Sequence, residues 1–427
     1  MTGIALLRLN PELQRCLWLE LTPTRLVLMP ALLAVAVAGL HLSGVDDLAQ
    51  WVQYIVFFLL VLWGGRLAAD SFVEEVAQGT WDVQRLSASN PWAMAWGKLL
   101  GGTSYVWYGA LLCLLVLPFV RGRVDMVDLA TTLVGGLAAQ ATALLVVLLL
   151  HRFDASRRRG STTLAQMLGI IAAVPSLGPM AALSSAAKGW GGTMAWYGNS
   201  IPVPAFTLVN EIIVVAWLFL GIAWLIRLQL GHAPSPWPYL AFTLYQIAFF
   251  QGFLFQGGLV PPFAVILGSS ALVAASLTYL SLLASPLYVT DIKRLLRASD
   301  WAERWDWLPS WLPVAVLAVA LGAATVAAGG REWTLAAAIL ALFLRDIALV
   351  AAVRLLARRR TAMLLCVLAV LLYWLLPEVM DGIGGDGLKA WIFPTRDAAP
   401  VSLIGPWVQA AAALVLAAIA WNRKKGV

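Results

Sequence analysis

Charge is scarce in this 427-residue chain: Asp, Glu, Lys and Arg make up 12% of it, while 61% is hydrophobic. A soluble domain of that composition would expose more apolar surface than water tolerates. Histidine and cysteine are scarcer still, at three each. His41, His151 and His232 lie far apart without ligand spacing, so no metal site is expected. Cys16, Cys113 and Cys366 sit in apolar or membrane-adjacent stretches and set up no disulfide framework. The short alternating segments of a membrane β-barrel are missing. A small-residue cleavage site after Asn10-Pro11-Glu12-Leu13-Gln14-Arg15 is missing too, so no cleavable signal peptide is expected.

What is abundant is apolar sequence in runs of about 17–25 residues, the length that crosses a hydrocarbon core of about 30 Å. The expected fold is an all-α polytopic transmembrane helical bundle with about twelve spans. They lie near 26–40, 51–68, 92–119, 129–150, 162–174, 206–226, 239–258, 263–283, 312–328, 335–350, 363–376 and 407–421. The net charge of +7 does not form a nucleic-acid stripe, because the basic residues gather on alternate loops. Twenty-two fall on one set of loops and six on the other, and Lys/Arg-rich loops stay in the cytoplasm. With an even number of spans, both termini are expected there. The many tryptophans read mostly as interface anchors.

The loops also repeat. HRFDASRRRG from His151 and VRLLARRRT from Val353 each carry three consecutive arginines before a span. The connections near 175–204 and 377–406 are both long and rich in Gly and Pro. These coincidences predict two six-span halves, 1–230 and 238–427, related by parallel duplication.

One polar segment interrupts the apolar text: FVEEVAQGTWDVQRLSASNPWAMAWGK, from Phe72 to Lys98. Ser71–Gln78 suits a short helix at the membrane surface, with Phe72, Val73 and Val76 beside Glu74 and Glu75. Gly79 terminates it, Thr80 caps the next helix, and Asp82 favours that helix's positive end. The short helix 81–86 offers Trp81, Val83 and Leu86 as contacts, with Arg85 as a charged handle. Asn90-Pro91 then starts the third span. The pattern predicts a built cytoplasmic projection.

This segment resembles the coupling-helix region of type-two ABC transporter permeases. It has the acidic pair Glu74 and Glu75, then Gly79-Thr80, the short helix from Trp81, the turn at Pro91 and Gly97-Lys98. NPELQRCLWLELTPTRLVLMP is similar to that family's amphipathic elbow helix, with Asn10 as cap, Pro11 opening it, and Leu13, Leu17 and Trp18 toward lipid. The resemblance covers about residues 8–230. It implies the membrane subunit of an ATP-driven exporter in the bacterial cytoplasmic (inner) membrane. Separate ABC ATPase subunits would bind the ATP and magnesium. They would couple through Glu74, Glu75, Gly79, Thr80, Trp81, Asp82 and Arg85. No G-x-x-x-x-G-K-[ST] stands in this chain, so it holds no cofactor of its own and no catalytic site is expected.

The counterpart segment YVTDIKRLLRASDWAERWDWLP departs from the pattern, lacking Gly-Thr and the Gly-Lys ending. It offers a second coupling region around Arg297, Trp301 and Arg304. Either both halves form one pathway, or two copies of the chain pair through their first halves. A rival reading, a secondary transporter of the major facilitator type, also has six-plus-six spans. That family usually carries Gly-x-x-x-Asp-Arg in a short second-to-third loop, whereas here the loop is long. A lipid-modifying enzyme would need clustered Asp or His at the membrane edge, and none stands out. Arg345, Asp346 and Glu211 lie inside expected spans, where ionisable groups mark either helix locks or a pathway. Arg66 and Asp70 are placed as an i,i+4 pair.

Overall fold

The computed structural model describes residues 10–44, 48–86, 90–121, 126–153, 192–233, 235–255, 260–284, 293–295, 297–329, 333–356, 361–384 and 403–425. Its contacts divide the chain into two compact units. One is Met1–Met194 with Asn199–His232, and the other is Ala195–Gly198 with Ala233–Val427. Among the described residues, 7 helices are long and apolar enough to cross a membrane. The pair Pro91–Gly101 and Ser104–Pro118, bent by 50°, makes an eighth if it is one span. Trp311–Ala327 and Leu364–Met380 are shorter apolar helices. These long apolar helices mark an all-α, membrane-embedded protein.

Among the described residues twelve full-length spans are not seen. The expected span 239–258 is helical only to Gln251. The expected span 162–174 lies outside the described residues, as do the arginine triplets 157–159 and 358–360 and much of the two long connections. Among the described residues one small element is not helical: β1 (Thr193–Trp196) pairs with β2 (Asn199–Pro202). Tyr197 and Gly198 between them have φ of 49° and 73°. Two consecutive positive φ values suit the tight hairpin that a right-twisted strand pair prefers.

The first unit opens with α1 (Pro11–Glu20) and α2 (Pro23–Leu42). Asn10 accepts from the Glu12 and Leu13 N–H groups, and Pro11 takes the first helical position, where no donor is needed. The second span runs through α3 (Leu48–Phe57), a π-helical turn (Phe58–Trp63) and α4 (Gly64–Gln78) without a break. The expected separate surface helix 71–78 is therefore the end of this span. The π turn leaves the Leu60 carbonyl to be met by the buried Gln140 amide at 3.0 Å, and Gln140 Oε1 accepts from Trp107 at 2.9 Å. There follow α5 (Thr80–Arg85), α6 (Pro91–Trp96), a second π turn (Gly97–Gly101), α7 (Ser104–Arg121), α8 (Met126–Phe153) and α9 (Val203–Gln229). Phe72, Met94, Leu99, Leu144, Leu148, Ile222 and Ile226 form the core that joins α4, α6, α8 and α9.

Glycine lets α1 press against the start of the third span. A methyl on Gly97 would lie 2.5 Å from Glu12 Cγ and 2.8 Å from the Leu13 nitrogen, and one on Gly101 would lie 2.5 Å from Cys16 Cβ. Two small residues four apart give the flat strip on which membrane helices approach closely. Gly97→Ala is expected to destabilise the protein by about 1–3 kcal/mol through overpacking. Gly39→Ala, with nothing within 4 Å of the added carbon, should not. Thermal unfolding of the two variants in detergent compares them directly.

The second unit contains α10 (Trp237–Gln251), α11 (Phe263–Ala284), α12 (Trp301–Asp306), α13 (Trp311–Ala327) and α14 (Trp333–Leu356). It ends with α15 (Thr361–Val370), a π turn (Leu371–Leu375), α16 (Leu376–Gly384) and α17 (Ile404–Lys425). Ala274, Val314, Ala318 and Phe343 join α11, α13 and α14, and Ala352, Leu355 and Ala420 join α14 to α17. Alanine dominates these seams because dispersion between closely approaching backbones, rather than water exclusion, holds helices together in lipid.

Candidate functional site

At the end of α4, Gly79 takes the left-handed conformation with φ of 73°, where a β-carbon would be strained. The chain turns there into α5. Two expectations about this turn are corrected. Thr80 is the first residue of α5 rather than its cap, and its hydroxyl donates back to the Glu75 carbonyl at 3.1 Å. Trp81 is not an outward contact: it is 2% exposed, edge-on to Phe72 with ring centroids 5.0 Å apart. A large indole next to an apolar span end is worth more against that span than in water. The outward face of α5 is Asp82, Val83, Arg85 and Leu86, with Val83 70% and Leu86 90% exposed. Asp82 and Arg85 pair at 3.8 Å on that face.

Beneath α5 lies a cluster of four charges. Lys98, fully buried, points its ammonium at three acceptors on three helices: Glu12 Oε1 of α1 at 3.2 Å, Glu75 Oε2 of α4, and Gln84 Oε1 of α5 at 3.1 Å. An ammonium has three protons, and each finds a partner. The Trp81 ring faces the same ammonium at 5.2 Å. Arg15 of α1 closes the circuit, bonding Glu12 at 2.7 Å and also Glu75 Oε1. Two cations and two carboxylates leave no net charge, the condition under which burial of ions is tolerable. Glu74, next to Glu75, is exposed and outside the cluster. Leu13 is half-buried beside Gly101, whereas Trp18 is 77% exposed, so α1 turns one edge outward and one into the protein.

Burial pushes the Glu12 carboxyl up, but Arg15 and Lys98 together outweigh it and hold it below its ordinary value. Burial, then the Glu12 charge, pushes the Cys16 thiol up to about 12, so it is an inert packing group. Because Glu12 is depressed in the folded state, its contribution is complete above the ordinary glutamate value of about 4.3. It is lost as pH falls through the depressed folded value. Acid should therefore release α1, read as faster amide exchange over 11–20 as pH drops below about 4. Glu12→Gln should flatten that dependence.

In the second unit, Arg345 and Asp346 are 3% and 8% exposed and pair through Arg345 Nε and Asp346 Oδ1 at 2.9 Å. Arg345 Nη1 donates to Gln409 of α17 at 2.7 Å, and its guanidinium stands over the Tyr373 ring at 5.3 Å. The Tyr279 hydroxyl of α11 donates to Asp346 Oδ2 at 2.9 Å, and Tyr373 donates to the same oxygen. The pair is thus compensated by three further helical segments, the arrangement of a helix lock. The region around Arg297, Trp301 and Arg304 differs from its first-unit counterpart. Arg297 and Arg304 are exposed, Trp301 is 74% exposed, and α12 buries none of its residues. Asp300 caps α12 at 2.8 Å, and Arg304 Nε donates to the Ala298 carbonyl at 2.9 Å. Glu211 is buried, at 3% exposure. Arg66 and Asp70 pair at 3.4 Å as the i,i+4 spacing predicts.

The structure brings Glu75 to residues the sequence did not link to it. Glu12 and Arg15 share a helix face at i,i+3, a readable signal; Lys98 is 86 residues from Glu12, and no local pattern links them. Tyr279, Tyr373 and Gln409 were equally silent partners of Asp346 and Arg345. Among the described residues no group of three metal-ligating side chains occurs. No family model, curated protein or solved structure matches this chain.

Proposed function

We propose that this chain is the membrane-spanning subunit of an ATP-driven exporter of the type-two ABC permease class, coupled through α5 to a separate ATPase subunit. One observation carries the reading: α5 exposes Asp82, Val83, Arg85 and Leu86, while Trp81 and Gln84 fix its other face to the buried Lys98. A handle that transmits force needs a grip on the outside and a rigid seat within, and this one has both. ATP and magnesium would belong to the partner. Arg297, Trp301 and Arg304 form the proposed second docking region, an exposed surface without a buried charge cluster described beneath it. One chain supplies the whole pathway if both regions dock; two copies pair if only the first does. Both termini would lie in the cytoplasm. Export as the direction rests on the family resemblance.

The test is co-purification in mild detergent with the proteins encoded beside its gene, together with an ATPase assay. An ATPase subunit should remain bound, and Val83→Asp with Leu86→Asp should release it without lowering the thermal stability of the membrane subunit. These side chains are surface-exposed, so the substitutions should change folding stability by less than about 0.5 kcal/mol. Absence of an associated ATPase across several detergents sinks the reading.

A further inference from the structure

Three polar side chains in the first half of α9 are buried: Thr207 and Asn210 are 6% exposed and Glu211 is 3% exposed. α9 is one of the long apolar helices, spanning Val203–Gln229. The buried residues of its second half are apolar, Phe219, Ile222, Ala223, Leu225 and Ile226, with Gln229 Nε2 donating to the Leu148 carbonyl at 3.3 Å. Polar groups in a span are costly unless paired. One oxygen of Glu211 lacks that pairing: Oε2 is buried and no donor meets it among the described residues. The helix itself does not supply one, because Glu211 lies beyond the first turn, where the free N–H groups are. Arg227, the basic residue of α9, is sixteen residues further on, about 24 Å along the axis.

The inventory of this face is acceptor-rich. One N–H of the Asn210 amide is committed to the Phe206 carbonyl at 2.7 Å, which leaves its second N–H and its oxygen, an acceptor with two lone pairs. Thr207 lies one turn from Glu211 on the same side of the helix and brings a hydroxyl oxygen. A carboxylate and two neutral oxygens match a group with one positive charge, three donors and no acceptor, which is an alkylammonium. Neighbouring Val203 and Phe206, 3% and 5% exposed, give the site an apolar flank suited to an alkyl chain.

We propose that Glu211, with Thr207 and Asn210, binds the ammonium group of a cationic amphiphile that this protein carries. The proposal names a substrate class for the exporter reading and rests on it. The probes are octylammonium, octanol and octyl sulfate, added to the full chain in lipid nanodiscs. The apolar carboxyl reagent dicyclohexylcarbodiimide reports on Glu211 by peptide mass spectrometry. Octylammonium should slow labelling at Glu211 about tenfold or more while octanol and octyl sulfate leave it unchanged, and Glu211→Gln should weaken octylammonium binding by about ten- to a hundredfold. Asn210→Ala should weaken it less.

Equal protection by octanol and octylammonium would show a carboxyl that only takes up a proton, and would overturn the proposal. So would unchanged octylammonium affinity in Glu211→Gln, a measurement that decides the matter even where the reagent does not reach the site. If Glu211→Gln does not give a monodisperse protein, Glu211→Asp takes its place, and protection of the wild type needs no variant. No ATPase is present in these assays. Amine binding here, with no ATPase recovered in the co-purification, would therefore leave the site standing and the exporter reading fallen, and the converse pair of results would do the opposite.

Discussion

Lys98→Met is expected to destabilise the first unit by about 3–5 kcal/mol, the range for removing one partner from a buried ion pair. The loss is large because the ammonium serves Glu12, Glu75 and Gln84 at once, leaving two buried carboxyl groups to share Arg15. Lys98→Arg should not rescue it fully, since a planar fork does not reproduce three donors spread from a point. Lys98→Met combined with Glu75→Gln should recover much of the loss by restoring neutrality, one cation against one carboxylate. Chemical unfolding of wild type, Lys98→Met, Glu75→Gln and the double variant in the same detergent measures the cycle. A single variant within about 0.5 kcal/mol of wild type would mean the cluster is solvated and does not seat α5. Under the proposed exporter function, a loosened Lys98 should uncouple ATP hydrolysis from transport before it abolishes ATPase binding, since the outward face of α5 is untouched.

Asp346→Ala carries the second large effect, again about 3–5 kcal/mol. It leaves Arg345 without its counter-charge and deprives Tyr279 and Tyr373 of their shared acceptor. The informative companion is Arg345→Met with Asp346→Leu, which removes both charges and keeps the volume. A pair that only locks helices should tolerate this exchange to within about 1–2 kcal/mol and retain transport. A pair that belongs to a substrate pathway should keep its stability and lose transport. The bonding of Asp346 to α11 and to the segment around Tyr373, and of Arg345 to α17, favours the lock.

The Glu74-Glu75 pair illustrates how far local reading reaches. Both were singled out, but a dipeptide cannot show which carboxylate faces inward. The 100° step between helix neighbours separates them, and packing against α1 and the third span selects Glu75. Trp81 is a similar case. An indole in a short polar helix looks like a contact for a partner, yet the preceding span already offers Phe72 at the right height. The continuity of α3 through α4 was hidden for another reason. Glu74, Glu75 and Asp70 look like a membrane exit, but Glu75 is neutralised within the protein by residues on other helices.

By itself the sequence determined the class of protein, because length and apolarity of a run are local quantities that the bilayer reads directly. It also determined the helix punctuation at Asn10-Pro11, Gly79 and Asn90-Pro91, where caps and a left-handed residue act within a few positions. Tertiary structure alone decided what the charges do. Lys98 meets Glu12 across 86 residues and Tyr279 meets Asp346 across 67, distances over which no periodicity carries information. Such pairs form because a buried charge must find compensation wherever the fold can bring it.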